Sequence, residues 1–243
     1  MIDLKQRQKL LLNLLKEFDQ FCSKYDIQYW LEGGTLLGAI RHKGFIPWDD
    51  DVDVAMTRDN YIKFLAIGEK YLPSNLKIEN FNNTKIRKIF FIKVIDVKNN
   101  VFLDVFPMDI IKKEYIKFYY IIRFFLGISY NDNVKSFKNT IKKIIYNTIN
   151  YLDRQKLLNF FSNILNNPKS DYIIYGLEAY SALAPGKIFY IKKDNIFPLK
   201  KHIFEDSFFY IPNNYDEYLK KLYGNYMKLP PKKDRFPTHY NYK

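Results

Sequence analysis

Between residues 4 and 25 apolar side chains return every three to four positions, at Leu4, Leu11, Leu14, Leu15, Phe18, Phe21, Cys22 and Tyr25. That spacing lays one face of an α-helix against a core. Residues 27–31 read as a short strand, and Gly33-Gly34 turns the chain into a helical stretch over 35–42. Gly44 and Pro47 mark a loop through Trp48, because the residue before a proline is driven out of the helical region. A strand over 51–56 and a helix over 58–71 follow, the helix with Tyr61, Phe64 and Leu65 inward and Pro73 ending it. Residues 86–97 and 101–106 are β-branched and aromatic and flank Lys98-Asn99-Asn100, the pattern of a hairpin.

Beyond Pro107 the periodicity turns helical, strongest over 118–125, 141–152 and 157–165, and prolines at 168, 185, 198, 212, 230 and 231 punctuate the rest. The expectation is an α+β fold. A small mixed β-sheet core with its opening helix would occupy residues 1–110, and a mainly helical C-terminal half, 111–243, would pack on it. No repeat or low-complexity linker separates the two.

Composition narrows the classes. With 243 residues, 47% hydrophobic and 18% aromatic, the chain can bury a real core and is not of the disordered type. A single cysteine excludes an internal disulfide, and three histidines argue against a Cys/His zinc site, so any metal would be held by oxygen. The formal charge of +13 favours anionic partners, although lysines spread along helical faces account for much of it. The N-terminal residues show no signal-peptide pattern, which points to the cytoplasm. No apolar run reaches the roughly 18–20 residues a membrane span needs. The aromatic run 115–130 is broken by Lys117 and Arg123 and flanked by Lys112, Lys113 and Lys135. It fits either a core helix or a helix lying peripherally on the membrane face.

The chemistry concentrates in Asp51-Val52-Asp53-Val54. Alternation along a strand points both carboxylates one way and both valines to the buried side. Neighbouring anions resist joint ionisation, and a hard divalent cation, Mg²⁺ or Mn²⁺, would compensate them. Asp104, a lone acid in the apolar strand 102–106, is the third candidate ligand, since a buried Asp needs a partner. Asp49 and Asp50 are read as supporting carboxylates: Asp49 shares the parity of the pair, Asp50 that of the valines. Gly33, Gly34 and Thr35 at a strand-to-helix junction expose backbone N–H groups suited to phosphate. Arg41, His42 and Lys43 follow one helix later, either as phosphate ligands or as the basic end of a helix. Lys93 is either a further charge for phosphate or a sheet-edge lysine.

The stretch 30–56, WLEGGTLLGAIRHKGFIPWDDDVDVAM, resembles the LicD family: a glycine pair, then TLLGA-R-H-GFIPWDDD-D without a gap. FLDVFPMD at 102–109 is similar to its second signature, and Tyr223-Gly224-Asn225-Tyr226-Met227 with Pro230-Pro231 to its third. The resemblance implies a nucleotidyltransferase-like core in which Gly33, Gly34, Asp51, Asp53 and Asp104 serve turn and metal. It further implies transfer of a phospho-alcohol such as phosphocholine from a CDP-linked donor to a surface glycan (lipopolysaccharide, capsule or teichoic acid), with CMP leaving. Asn225 departs from the pattern, which has an acid there, and this leaves the donor headgroup open.

Two rival readings remain at this level. The same fold could transfer a nucleoside monophosphate to a small molecule, attacking the other phosphorus. The basic surface could instead serve a binding module for nucleic acid or membrane with a vestigial site. Against nucleic acid, the aromatics lie in apolar runs and do not alternate with basic residues.

Overall fold

The computed structural model describes residues 3–80, 91–126, 136–179 and 187–237. The first apolar stripe closes into helix α1 (Leu4–Lys24), whose N-terminus is capped by the Asp3 side chain, 2.7 Å from Gln6 N. Strand β1 (Trp30–Leu31) leads into α2 (Gly33–His42), then β2 (Asp53–Thr57), α3 (Arg58–Tyr71), β3 (Leu76–Glu79), β4 (Ile92–Asp96) and β5 (Val101–Ile111). Three helices come next, α4 (Ile116–Leu126), α5 (Phe137–Tyr151) and α6 (Arg154–Leu165). Strands β6 (Tyr172–Tyr175), β7 (Tyr190–Lys192), β8 (Lys200–Phe204) and β9 (Ser207–Ile211) precede α7 (Tyr215–Tyr223).

The fold is α+β, as the patterning implied. The main sheet runs β1-β2-β5-β4-β3, with β6 also paired to β5 and β7 to β6; β8 and β9 form a separate hairpin. Within the main sheet β2 and β5 are parallel, and the other pairs are antiparallel. The β4–β5 hairpin turns at the Lys98-Asn99-Asn100 segment, with Asn100 in the left-handed conformation that Asn tolerates. Residues 86–90 and 127–130, and Lys135, lie outside the described residues.

Three expectations need correction. Strand β5 does not end at Phe106 but runs through Pro107 to Ile111. A proline removes a donor, not an acceptor, and the Pro107 carbonyl takes a bond from Gly176 N at 2.7 Å, so the ladder continues. The chain after Pro107 is mainly helical, as expected, but also carries strands that its periodicity did not show: β6 and β7 extend the main sheet, and β8 and β9 pair separately. Their registers are long-range, and no local window contains them. Finally, Gly33 and Gly34 do not form a turn before the helix; they are its first two residues.

A large core under the sheet gathers α1, α2, α3, β8, β9 and α7 around side chains such as Phe18, Trp30, Phe64, Phe204 and Tyr218, all essentially inaccessible. A second core joins α4, α5 and α6 to β6 through Ile116, Tyr119, Ile122, Ile149, Leu158 and Ile174. An ionic knot ties the helices to the sheet. Arg58, at the start of α3, donates to both oxygens of Asp109 on β5 (2.7 and 3.1 Å) and of Glu178 (2.6 and 2.8 Å). Its Nη2 also lies 3.3 Å from Ser162 Oγ on α6, and the Tyr119 hydroxyl of α4 donates to Asp109.

Candidate active site

Parallel pairing of β2 with β5 puts Asp53 directly opposite Asp104. Val52 and Val54 are fully buried while Asp51 and Asp53 keep partial exposure, the alternation that their spacing required. The Asp53 backbone is held from both sides: its N–H donates to Thr35 Oγ1 at 2.8 Å, and its carbonyl accepts from Glu32 N at 3.0 Å. Thr35 is itself buried, so its hydroxyl serves this bond and positions the strand against α2.

The two glycines let the first turn of α2 lie directly on the acids. Gly33 has φ +53°, and a Cβ there would meet Asp53 Oδ2 at 3.0 Å; a Cβ at Gly34 would meet Asp49 Oδ2 at 2.9 Å. The positive end of the helix therefore borders Asp49 and Asp53. Asp51, Asp53 and Asp49 crowd one another. Burial, then the charges of Asp51, Asp104, Asp49 and Glu32, raises the Asp53 carboxyl well above the usual carboxylate range. Partial burial, then the charge of Asp51 and a hydrogen bond to it, push Asp49 up to about 8.

Asp104 is in a different situation. It is buried and accepts from Lys93 Nζ, which sits across the β4–β5 ladder, and the same ammonium lies 3.8 Å from the centre of the Phe102 ring. Lys93 thus joins the acidic cluster as an ion-pair partner of the third acid. Asp50 is fully buried, as its parity with the valines implied, and its carbonyl accepts from Arg7 Nε at 2.8 Å. Gln8 donates to the carbonyls of Ile46 (3.2 Å) and Asp49 (2.8 Å), so α1 braces the acidic loop.

Arg41, at the end of α2, donates from Nη1 to the Tyr226 carbonyl (2.8 Å) and from Nε to His42 Nε2 (2.9 Å). Burial and the adjacent Arg41 charge both push the His42 imidazole down, keeping it neutral. Lys43 is exposed and ends α2 in the left-handed conformation at φ 60°, its carbonyl accepting from Glu205 N. Asn225 is exposed beyond Gly224, which ends α7 at φ 67°.

Glu32 and Arg7 had no place in the sequence-based site, and Tyr223 stood there only as part of the third signature. Glu32 caps α2 from within the core: it accepts from Gly33 N (2.9 Å), the Tyr175 hydroxyl (2.7 Å), Trp30 Nε1 (3.2 Å) and the Tyr218 hydroxyl. Burial raises its carboxyl, and those four donors oppose the rise. Tyr223, at the end of α7, brings its hydroxyl to 3.7 Å from the Cβ position of Gly33. Arg7 stands four residues before Leu11 on the buried face of α1, and a charge on that stripe was its signal in the sequence.

The donor set is oxygen only, which suits a hard divalent cation. Among the described residues no three His, Cys, Asp or Glu side chains stand ready to enclose a metal by themselves. Mg²⁺ does not need such a cage, since it keeps waters and binds through one or two carboxylates plus substrate phosphates. The crowding that makes Asp53 resist ionisation, with Asp51 and Asp104 beside it, fits that mode of binding, since a cation would relieve it.

Comparison with known proteins bears on this geometry. Residues 26–142 match the model described as LicD/FKTN/FKRP, nucleotidyltransferase domain. The lipopolysaccharide cholinephosphotransferase LicD of Haemophilus influenzae is 32% identical over 98% of this chain and 96% of its own length. The ribitol 5-phosphate transferases FKRP of mouse and human are 63% identical over 30 residues, 12% of this chain and 6% of theirs.

Proposed function

The chain belongs to the LicD family of phosphotransferases, and from that premise we propose that it moves a phospho-alcohol, phosphocholine or a similar group, from a CDP-linked donor to a hydroxyl of a surface glycan. The observation that carries this reading is the pairing of Asp53 with Asp104 on neighbouring parallel strands, beneath a helix start left open by two glycines. In-line attack by the acceptor oxygen on the distal phosphorus forms one P–O bond as the bond to CMP breaks. Such a transfer depends on positioning and charge neutralisation. Mg²⁺ held by Asp51, Asp53 and Asp104 would supply the neutralisation. Asp104 is already ion-paired with Lys93, which leaves Asp53 as the carboxylate to take the acceptor's proton. The proof is product identity. Incubation with CDP-choline and other CDP-alcohols is expected to release CMP in the presence of Mg²⁺ and not in EDTA; release of pyrophosphate from CTP instead would assign nucleotidyl transfer.

The acceptor side of the reading rests on α4, α5 and α6. No helix among the described residues is long and apolar enough to cross a membrane. Even so, α4 exposes Phe118, Ile121, Phe124 and Phe125 at one-face spacing, and α6 exposes Phe160 and Ile164. Arg123, which interrupted the aromatic run in the sequence, is buried and donates to the Ala179 carbonyl, so the outward face of α4 is apolar apart from Lys117. These three helices contain no Asp or Glu, while Lys117, Lys138 and Lys142 are exposed on them. Aromatics with lysines at their edges suit an anionic bilayer surface on the cytoplasmic side. The protein is expected to sediment with phosphatidylglycerol vesicles and not with phosphatidylcholine ones, and Phe124→Ser with Phe125→Ser to abolish the difference.

A further inference from the structure

Beside the acidic loop, the basic pair Arg41 and His42 is joined by two residues with no role so far, Trp48 and Arg235. Arg235, in the C-terminal segment after α7, donates from Nε to the Pro230 carbonyl at 2.9 Å and lies over the Trp48 ring, 5.4 Å from its centre. Trp48 meets His42 edge to face at 6.5 Å, and His42 accepts from Arg41. The chain Arg41–His42–Trp48–Arg235 therefore joins the end of α2, the loop before the acids and the C-terminal segment. Both guanidinium groups are anchored by backbone carbonyls of that segment, Tyr226 for Arg41 and Pro230 for Arg235.

Neither arginine forms an ion pair with a carboxylate among the described residues, and both Nη groups of Arg235 have no hydrogen-bond partner there. Burial and the charge of Arg235 lower the proton affinity of Arg41, and an anion held by both guanidinium groups would offset this. The acidic loop next to them carries the opposite charge: Asp49 follows Trp48 in sequence, and Asp49 and Tyr223 both raise the proton affinity of Arg41. A molecule bridging the two would carry several phosphate oxygens, some facing the acids and their cation and some facing the arginines.

We propose that Arg41 and Arg235 form a two-guanidinium seat for the diphosphate of a nucleotide donor, with Trp48 holding Arg235 in place. This deepens the transfer reading by naming where the nucleotide half of the donor binds, and it assigns that role to the C-terminal segment. Arg235 is a binding residue here, and Trp48 and His42 are positioning residues. Planar, forked donors are the groups that grip phosphate in two directions, which a lysine cannot do.

The test uses the full chain with Mg²⁺, and CMP and inorganic pyrophosphate as probes. Loss of a charge-assisted contact predicts that Arg235→Gln weakens CMP binding by calorimetry roughly ten- to hundredfold. The KM for the CDP-alcohol turned over rises by a similar factor and by more than kcat falls. Arg235→Lys restores only part of the affinity. Trp30 is fully buried and Trp48 half-buried, so CMP should change the tryptophan emission of the wild type and leave that of Trp48→Phe unchanged. Wild-type affinity in a folded Arg235→Gln overturns the seat, as does a wild type that binds neither probe. The two readings separate cleanly. Turnover of a CDP-alcohol with an unchanged KM in Arg235→Gln sinks the seat alone, whereas Arg235-dependent CMP binding with no CDP-alcohol turned over sinks the transfer reading alone.

Discussion

Asp53→Asn is expected to lower CMP release from the donor by a factor on the order of 10²–10³, the range seen when one preorganised electrostatic contact is removed from a reacting centre. The same substitution should raise the melting temperature of the protein in EDTA. The reason is that Asp53 is crowded by Asp51, Asp104, Asp49 and Glu32, and burial has raised its carboxyl well above its ordinary value. The amide is nearly isosteric and removes a charge that the folded state tolerates poorly without a cation. A carboxyl with a raised folded pKa contributes stability that is complete at low pH and lost as pH rises through the folded value. For Asp49 that window runs from about pH 4 to about 8. Metal-free wild type should therefore melt progressively lower across this interval, and Asp53→Asn should flatten the fall. Added Mg²⁺ should restore the wild type and do less for the variant. A melting temperature that falls with the substitution at every pH, or a wild type whose stability climbs from pH 5 to 8 in EDTA, would show that the acids are satisfied without a cation.

Arg58→Met is expected to destabilise the protein by about 3–5 kcal/mol, the cost of leaving a buried charge without its partner. For a chain of this size that corresponds to a fall of roughly 6–20 °C in melting temperature. Burial alone would lower the proton affinity of this guanidinium, but Asp109 and Glu178 outweigh it and hold the group charged. Removing Arg58 strands both carboxylates in an interior where Asp109 is fully inaccessible and Glu178 nearly so. Because the knot joins α3 and β5 to α4, α6 and the turn holding Glu178, the damage should spread to the helical cluster. Arg58→Lys should recover little, since one ammonium cannot fork onto two carboxylates. Asp109→Asn with Glu178→Gln in the Arg58→Met background should recover part of the loss by neutralising the stranded charges. Thermal melts of the three variants decide the point, and a loss below about 1 kcal/mol for Arg58→Met would place the knot among ordinary surface ion pairs.

The residues of the cleft were readable from one dimension wherever a local rule governed them. Alternation in residues 51–54 placed the acids and valines on opposite sides, and the parity of Asp50 foretold its burial. The glycine pair was visible as a close-approach site, though its place inside α2, against Asp53 and Asp49, depended on which element lay across from it. Asp104 stood out as a lone acid in an apolar strand, but nothing local could show that Lys93 would be its partner, because that contact is set by the register of β4 on β5. Glu32 gave no warning: a carboxylate before a glycine pair reads as surface until Tyr175 and Tyr218, far along the chain, converge on it.

What the sequence by itself determined is the set of groups whose meaning comes from neighbours one to four residues away: the helices, the two-faced strand, the acids and the glycines. Tertiary structure alone decided that β5 would run through Pro107, that β6 and β7 would widen the sheet, and that Arg235 would settle over Trp48. Each of these depends on a bond between residues brought together by folding, such as Gly176 N to the Pro107 carbonyl. Periodicity reports which side of an element is buried; it is silent on what lies across the gap.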